Sequence, residues 1–201
     1  MTRAAFSREA ADFRRQAMID ATAACLAEKG VAGTSVRSIC MRAGVSSGLL
    51  RHYFDGVDAL IAETYRATSA QLSETVNAAA AAAGKDKRAR LIAYVTANFQ
   101  PPVANPTLLS TWIAFWSLIK TDPVIAAIHS ESYAAFRSDL ESLLTDCGMI
   151  PARAGPAAIA LTAMIDGLWL ELSLDSSAFT PQEAGAMAMR WADTLLEQPE
   201  C

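Results

Sequence analysis

Alternating runs of valine, isoleucine and threonine bounded by turn residues are hard to find in this 201-residue chain, and no strand-helix-strand pattern is visible, which argues against a β-sheet. Cysteine is sparse. Cys25, Cys40, Cys147 and Cys201 are scattered without a CxxC, and neither histidine stands at metal-ligand spacing, so neither a disulfide framework nor a zinc site is suggested and reduced thiols in a cytoplasmic protein are expected. There is no phosphate-binding loop and no Ser/His/Asp or Cys/His arrangement of recognisable spacing, so no metal, no cofactor and no catalytic residue is expected. Uncharged hydrophobic runs of membrane-spanning length are missing too: the most apolar stretch, AAIALTAMIDGLWLELSL, is interrupted by Asp166 and Glu171 and reads as a buried helix. The opening MTRAAFSREAADFRRQ carries charges where a signal peptide needs an apolar stretch.

What is present is apolar and helix-forming. Hydrophobic residues make up 52% of the chain, which disfavours disorder, and abundant Ala, Leu, Met and Glu predict an all-α fold. The net charge of −4 conceals an asymmetry: residues 1–54 carry eight Lys/Arg against four Asp/Glu, and residues 55–201 carry nine against seventeen. A basic first quarter on an acidic remainder suggests that only the N-terminal piece meets a polyanion. A merely solvated basic surface is the other reading.

The first quarter narrows that choice. A helix is predicted from about Asp12 to Lys29, stopped by Gly30. Thr34 or Ser35 then caps a short second helix containing Val36, Ile39 and Cys40, which ends at Ala43-Gly44, and Ser46 caps a third over about Ser47 to Tyr53. Two short helices joined by a glycine-containing turn outline a helix-turn-helix. Val36, Ile39, Val45, Leu49 and Phe54 would hold the pair against the first helix, leaving Ser46, Ser47, Gly48, Arg51 and His52 at the surface. Such a helix fits the major groove of a DNA duplex, with hydroxyls, amides and arginine meeting phosphates and base edges.

The span from about Arg15 to Leu60, with G-x-x-x-T-S-V-x-x-I-x-x-x-A-G-V-S-x-G-x-L-x-x-Y-F, resembles the N-terminal DNA-binding domain of TetR-family transcriptional regulators. The resemblance implies a dimeric, all-helical protein whose recognition helix is Ser46 to Tyr53, with Tyr53 close to a phosphate. Thr34, Ser35, Arg37, Ser46, Ser47, Gly48, Arg51, His52 and Tyr53 are the DNA-contact candidates. Two positions depart from the family pattern: Arg51 stands where many relatives have tyrosine, and Val57 where they often carry a phosphate-binding lysine. Arg8, Arg14 and Arg15 are candidates to supply the missing contact.

Residues 1–56 are thus expected to form the DNA-binding domain. A connecting helix over 57–84 ends in the alanine tract NAAAAAAG, and 85–201 form a second domain. Prolines and glycines punctuate the second domain into helices near 86–99, 107–120, 122–147, 154–174 and 181–197. Trp112, Phe115, Trp116 and Ile119 follow one helical stripe, Ile165, Leu168, Trp169 and Leu172 another, and His129, Tyr133, Phe136, Leu140 and Leu144 a third. These stripes have two readings, core packing or a pocket. A pocket lined by Trp112, Phe115, Trp116, Tyr133 and Trp169 would offer π faces to a cationic or apolar effector, with Asp166 supplying charge. For Asp166 a helix-packing carboxylate is the alternative, and for His129 a packed helix residue.

TWIAFWSLIKTDP, the helix with His129 and IDGLWLEL together resemble the regulatory domain of BetI-type, choline-responsive repressors within the TetR family. This implies repression relieved by a choline-like ligand. The last two long helices, with Ala157, Ala158, Ala160, Leu161, Met164 and Leu168 on one and Ala184, Ala188, Trp191, Ala192 and Leu195 on the other, are expected to pair with their copies in a homodimer, intrachain core packing being the alternative for either helix singly. A two-fold dimer would set two recognition helices about 34 to 36 Å apart, on successive major grooves of a near-palindrome. The alternatives are a small helical enzyme using the aromatic cavity and a thiol-based redox regulator using Cys25 or Cys40.

Overall fold

The computed structural model describes the backbone of residues 3–197 and the side chains of residues 11–197. Among the described residues there are nine helices and no strand: α1 (Arg3–Lys29), α2 (Val36–Ala43), α3 (Ser47–Tyr53), α4 (Val57–Ala82), α5 (Lys87–Ala97), α6 (Pro106–Leu118), α7 (Pro123–Asp146), α8 (Pro151–Leu174) and α9 (Pro181–Glu197).

Local chemistry sets most of these boundaries. Ser35 caps α2, accepting from the Ser38 N–H while the Ser38 hydroxyl accepts from the Ser35 N–H, so two end donors are satisfied reciprocally. The helix stops at Gly44, whose φ of 65° lies in the left-handed region. A Cβ there would meet nothing within 4 Å, so glycine is needed for the backbone angle and not for space. Four later helices begin at a proline, where the missing N–H would be unsatisfied anyway. Asp122 accepts from the N–H groups of Val124 and Ile125 to start α7, and Asp86 accepts from Ala89 to start α5.

The chain divides into two compact units, one formed by Met1–Thr68 with Ser110–Ile128 and the other by Ser69–Leu109 with His129–Cys201. In the first, α1 packs on α2 and α2 on α3 around Met18, Ile19, Cys25, Ile39, Leu50, Phe54 and Leu60. Leu50, fully buried, occupies the core position expected for Leu49, which is only half-buried. Adjacent residues on a helix differ by about 100° in direction, and a seven-residue helix gives too few apolar positions to settle the phase. The α6 segment joins this unit: the Thr111 hydroxyl donates to the Ala23 carbonyl at 3.2 Å, and the Phe115 ring stacks on Tyr65 with centroids 4.4 Å apart.

In the second unit, α9 packs against both α5 and α8. Helix α8 is long and apolar enough, by length and composition, to cross a membrane. One face of it buries Ala154, Ala157, Ala158, Leu161, Ile165, Trp169 and Leu172, and α9 buries Ala184, Ala188, Ala192 and Leu195. Most of the residues expected at a dimer contact are therefore spent within the chain. A different stripe of α8 stands exposed: Ile159, Ala163, Gly167, Leu170 and Leu174.

Candidate functional site

The helix-turn-helix presents its polar residues on a short, well-anchored scaffold. The Ser46 hydroxyl accepts from the Leu49 N–H at 3.1 Å and caps α3. At the other end Phe54 is buried, and its N–H donates to the Leu50 carbonyl at 2.9 Å. Between these fixed ends Ser47, Gly48, Arg51 and His52 are exposed, and so are Ser35, Arg37 and Ser46. Tyr53 is half-buried against the core of the head and meets His52 edge-on at 5.4 Å. Thr34 is the exception among the expected contacts. It is buried, and its hydroxyl donates to the Gly30 carbonyl at 2.8 Å, so it closes the turn after α1 and is not presented to a partner.

Val57, at the family's lysine position, packs against the head core. Of the arginines expected to replace that lysine, Arg14 is exposed, while the Arg15 guanidinium is ion-paired with Glu63 of α4 and lies over the Phe54 ring, 5.5 Å from its centroid. Arg15 therefore braces α1 to the end of α3 and the start of α4. Arg8 lies outside the residues whose side chains are described. Cys25 and Cys40 are free and buried in this unit, and burial pushes the Cys40 thiol up, away from the reactive thiolate that a redox sensor needs.

The aromatic candidates fall in both units. In the first, Trp112 and Phe115 are buried with centroids 5.8 Å apart, and Tyr65 covers both. The indole N–H of Trp116 is buried and has no acceptor among the described residues. Such a donor costs about 1–3 kcal/mol when left unmet. In the second, Trp169 is buried and its indole N–H donates to the Asn98 carbonyl at 3.0 Å, which fixes the orientation of the ring.

Tyr133 and Asp166 come together: the tyrosine hydroxyl donates to Asp166 Oδ1 at 3.1 Å. Burial pushes the Asp166 carboxyl up to about 6, against the opposing pull of the Tyr133 hydrogen bond and the Arg137 charge. His129 lies beside Tyr133, centroids 4.0 Å apart, and burial followed by the Arg137 charge pushes its imidazole down. The Arg137 guanidinium stands over the Tyr133 ring at 5.6 Å. The motif reading did not single out Arg137, yet a signal was available. It stands four residues after Tyr133, so it shares that face of α7. Among the described residues no group of three or more His, Cys, Asp or Glu could hold a metal ion.

Comparison with known proteins places this geometry. Residues 18–64 match the model for bacterial regulatory proteins of the tetR family, and residues 87–197, more than half of the chain, match that for the C-terminal part of BetI-type transcriptional repressors. The chain belongs to the TetR family, in its BetI-type branch. The HTH-type transcriptional regulator BetI of Burkholderia thailandensis is 35% identical over 92% of this chain and 94% of its own length. A protein from Pseudomonas aeruginosa PAO1 described as a transcriptional regulator superposes with a TM-score of 0.83 at 38% identity, covering 92% of this chain and 91% of that one. One from Saccharomonospora viridis, solved in complex with choline, shares the fold alone, with a TM-score of 0.77 at 16% identity over 89% of this chain and 95% of its own.

As a TetR-family member the chain is a transcriptional regulator whose head is a helix-turn-helix DNA-binding domain, and its relatives are regulators, not enzymes. The basic charge of the first quarter thus has a duplex as its partner class.

Proposed function

We propose that this TetR-type regulator is a cytoplasmic, homodimeric repressor that leaves a near-palindromic operator when a small cation, choline or a related quaternary amine, binds its second domain. The observation that carries the effector reading is the Tyr133–Asp166 pair, a carboxylate withdrawn from water and hydrogen-bonded to a phenol at 3.1 Å. A half-buried carboxylate beside aromatic rings favours a cation. The choline found on the Saccharomonospora viridis protein is consistent with this chemistry.

On the DNA side, Ser47, Gly48, Arg51 and His52 are the groups proposed to meet base edges and Ser35, Arg37, Ser46 and Tyr53 those proposed to meet phosphates. The exposed α8 stripe of Ile159, Ala163, Gly167, Leu170 and Leu174 suits a two-fold contact with a second copy, since its small residues allow two helices to approach closely. Residues 1–56 serve as the reading head, 57–84 as the connector and 85–201 as the sensor. An effector acts here only by binding one dimer conformation more tightly than the other.

Gel-shift titration of the operator with choline, betaine aldehyde and an unrelated amphiphile tests this reading. Release by the quaternary amines alone supports it. Operator affinity unchanged by any of them would leave a constitutive DNA binder.

A further inference from the structure

On α7, His129, Tyr133 and Arg137 recur every four residues and so share a face, and Asp166 of α8 meets the middle of it through the Tyr133 hydroxyl. All four residues belong to the second unit. An aromatic face beside a carboxylate is a site for a cation. Here a cation of the chain's own stands over that face, the Arg137 guanidinium, 5.6 Å from the Tyr133 centroid.

The fit is imperfect in an informative way. Arg137 Nε is buried and has no hydrogen-bond partner among the described residues. A guanidinium carries five N–H donors in a fixed fork, and a buried donor left unmet is unfavourable. A quaternary ammonium has no N–H to satisfy, so the same place suits it better than it suits arginine.

We propose that Arg137 is a built-in competitor of the effector, its guanidinium occupying the position over Tyr133, near Asp166, that a quaternary ammonium headgroup takes on binding. The inference rests on the cationic-effector reading above and deepens it. Arg137 sets the concentration at which the protein responds, because the effector binds only as that side chain withdraws.

Calorimetric titration of the full chain with choline and with tetramethylammonium tests this. Arg137→Gln is expected to bind both at least tenfold more tightly than wild type. Arg137→Lys, which keeps a cation on the ring, is expected to stay within about threefold of wild type. Asp166→Asn is expected to bind at least tenfold more weakly. Measurable wild-type binding with equal or weaker binding by Arg137→Gln overturns the competitor role and leaves the cationic effector standing. No binding of either cation by wild type overturns both readings.

A measurement on the wild-type protein guards against a variant that does not fold. The Arg137 Nε–H proton is expected to exchange slowly with solvent in the free chain and at least tenfold faster at saturating tetramethylammonium. Unchanged protection on binding overturns the proposal.

Discussion

In the first unit the polar groups proposed for recognition, Ser47, Gly48, Arg51 and His52, stand in solvent on a seven-residue helix whose underside is apolar. In the second, Asp166 is largely withdrawn from water and holds the Tyr133 hydroxyl, with Arg137 and His129 close by. An exposed polar set costs the fold little, so its residues are free to be chosen for a partner. A buried one ties ligand chemistry to stability, because every charge there is either compensated or unfavourable. The head should therefore separate stability from binding, and the second unit should not.

The sharpest way to break that contrast lies in the apolar underside of the head. Leu50→Ala removes a side chain that is 0% exposed and should cost about 2–5 kcal/mol, lowering the melting temperature and abolishing operator binding. Unfolding followed by circular dichroism, with gel shifts, checks both. Retention of both would mean that α3 is not held by this core.

Next in size is a pH effect confined to the second unit. Asp166 titrates near 6 when folded against an ordinary 3.8, so its contribution to stability is fully present below pH 3.8 and is lost as the pH rises through 6. The loss amounts to about 3 kcal/mol. Urea denaturation of wild type should show it between pH 4 and 7.5 relative to Asp166→Asn, which has no proton to lose. Parallel stability curves for the two would show that Asp166 is not held in a desolvated site.

Arg51→Ala sharpens the contrast from the other side. Operator affinity should fall by about 1–3 kcal/mol if the arginine reads a base edge, while the melting temperature stays within the range of a neutral surface substitution, about 0.5 kcal/mol. A shallower salt dependence with unchanged base preference would identify a phosphate contact instead.

The smallest effect is expected at Arg15. Its side chain is 41% exposed and paired with Glu63, so Arg15→Gln should cost under about 1 kcal/mol of stability and leave the salt slope of operator binding unchanged. A slope reduced by about one unit would restore Arg15 as a phosphate contact.

Much of the fold was legible because its signals are local. Ser35 and Ser46 mark the starts of α2 and α3, Gly44 the turn between them, and proline the first turns of α6 to α9. Two helix starts differ from expectation. Helix α1 begins at Arg3 and α8 at Pro151, ahead of the starts expected near Asp12 and residue 154, and Pro156 lies inside α8. Proline near a helix start is tolerated, so it is an unreliable boundary mark there. At the candidate sites, Tyr133 and Asp166 were each visible as candidates, but their pairing across 33 residues was not. Thr34 looked like a surface hydroxyl until the Gly30 carbonyl took it inward.

The order of residues alone determined the helical character of the chain, the punctuation of its helices and the helix-turn-helix, since each depends on interactions among neighbours within about four positions. Only tertiary structure decided that Leu50 and not Leu49 is core, that Arg15 is a brace, that α8 leaves Ile159, Leu170 and Leu174 uncovered, and that Asp166 is desolvated beside Tyr133 and Arg137. Burial is the reason. Whether a side chain meets water depends on segments far away in the chain, and a local pattern specifies which face is apolar without specifying what will cover it.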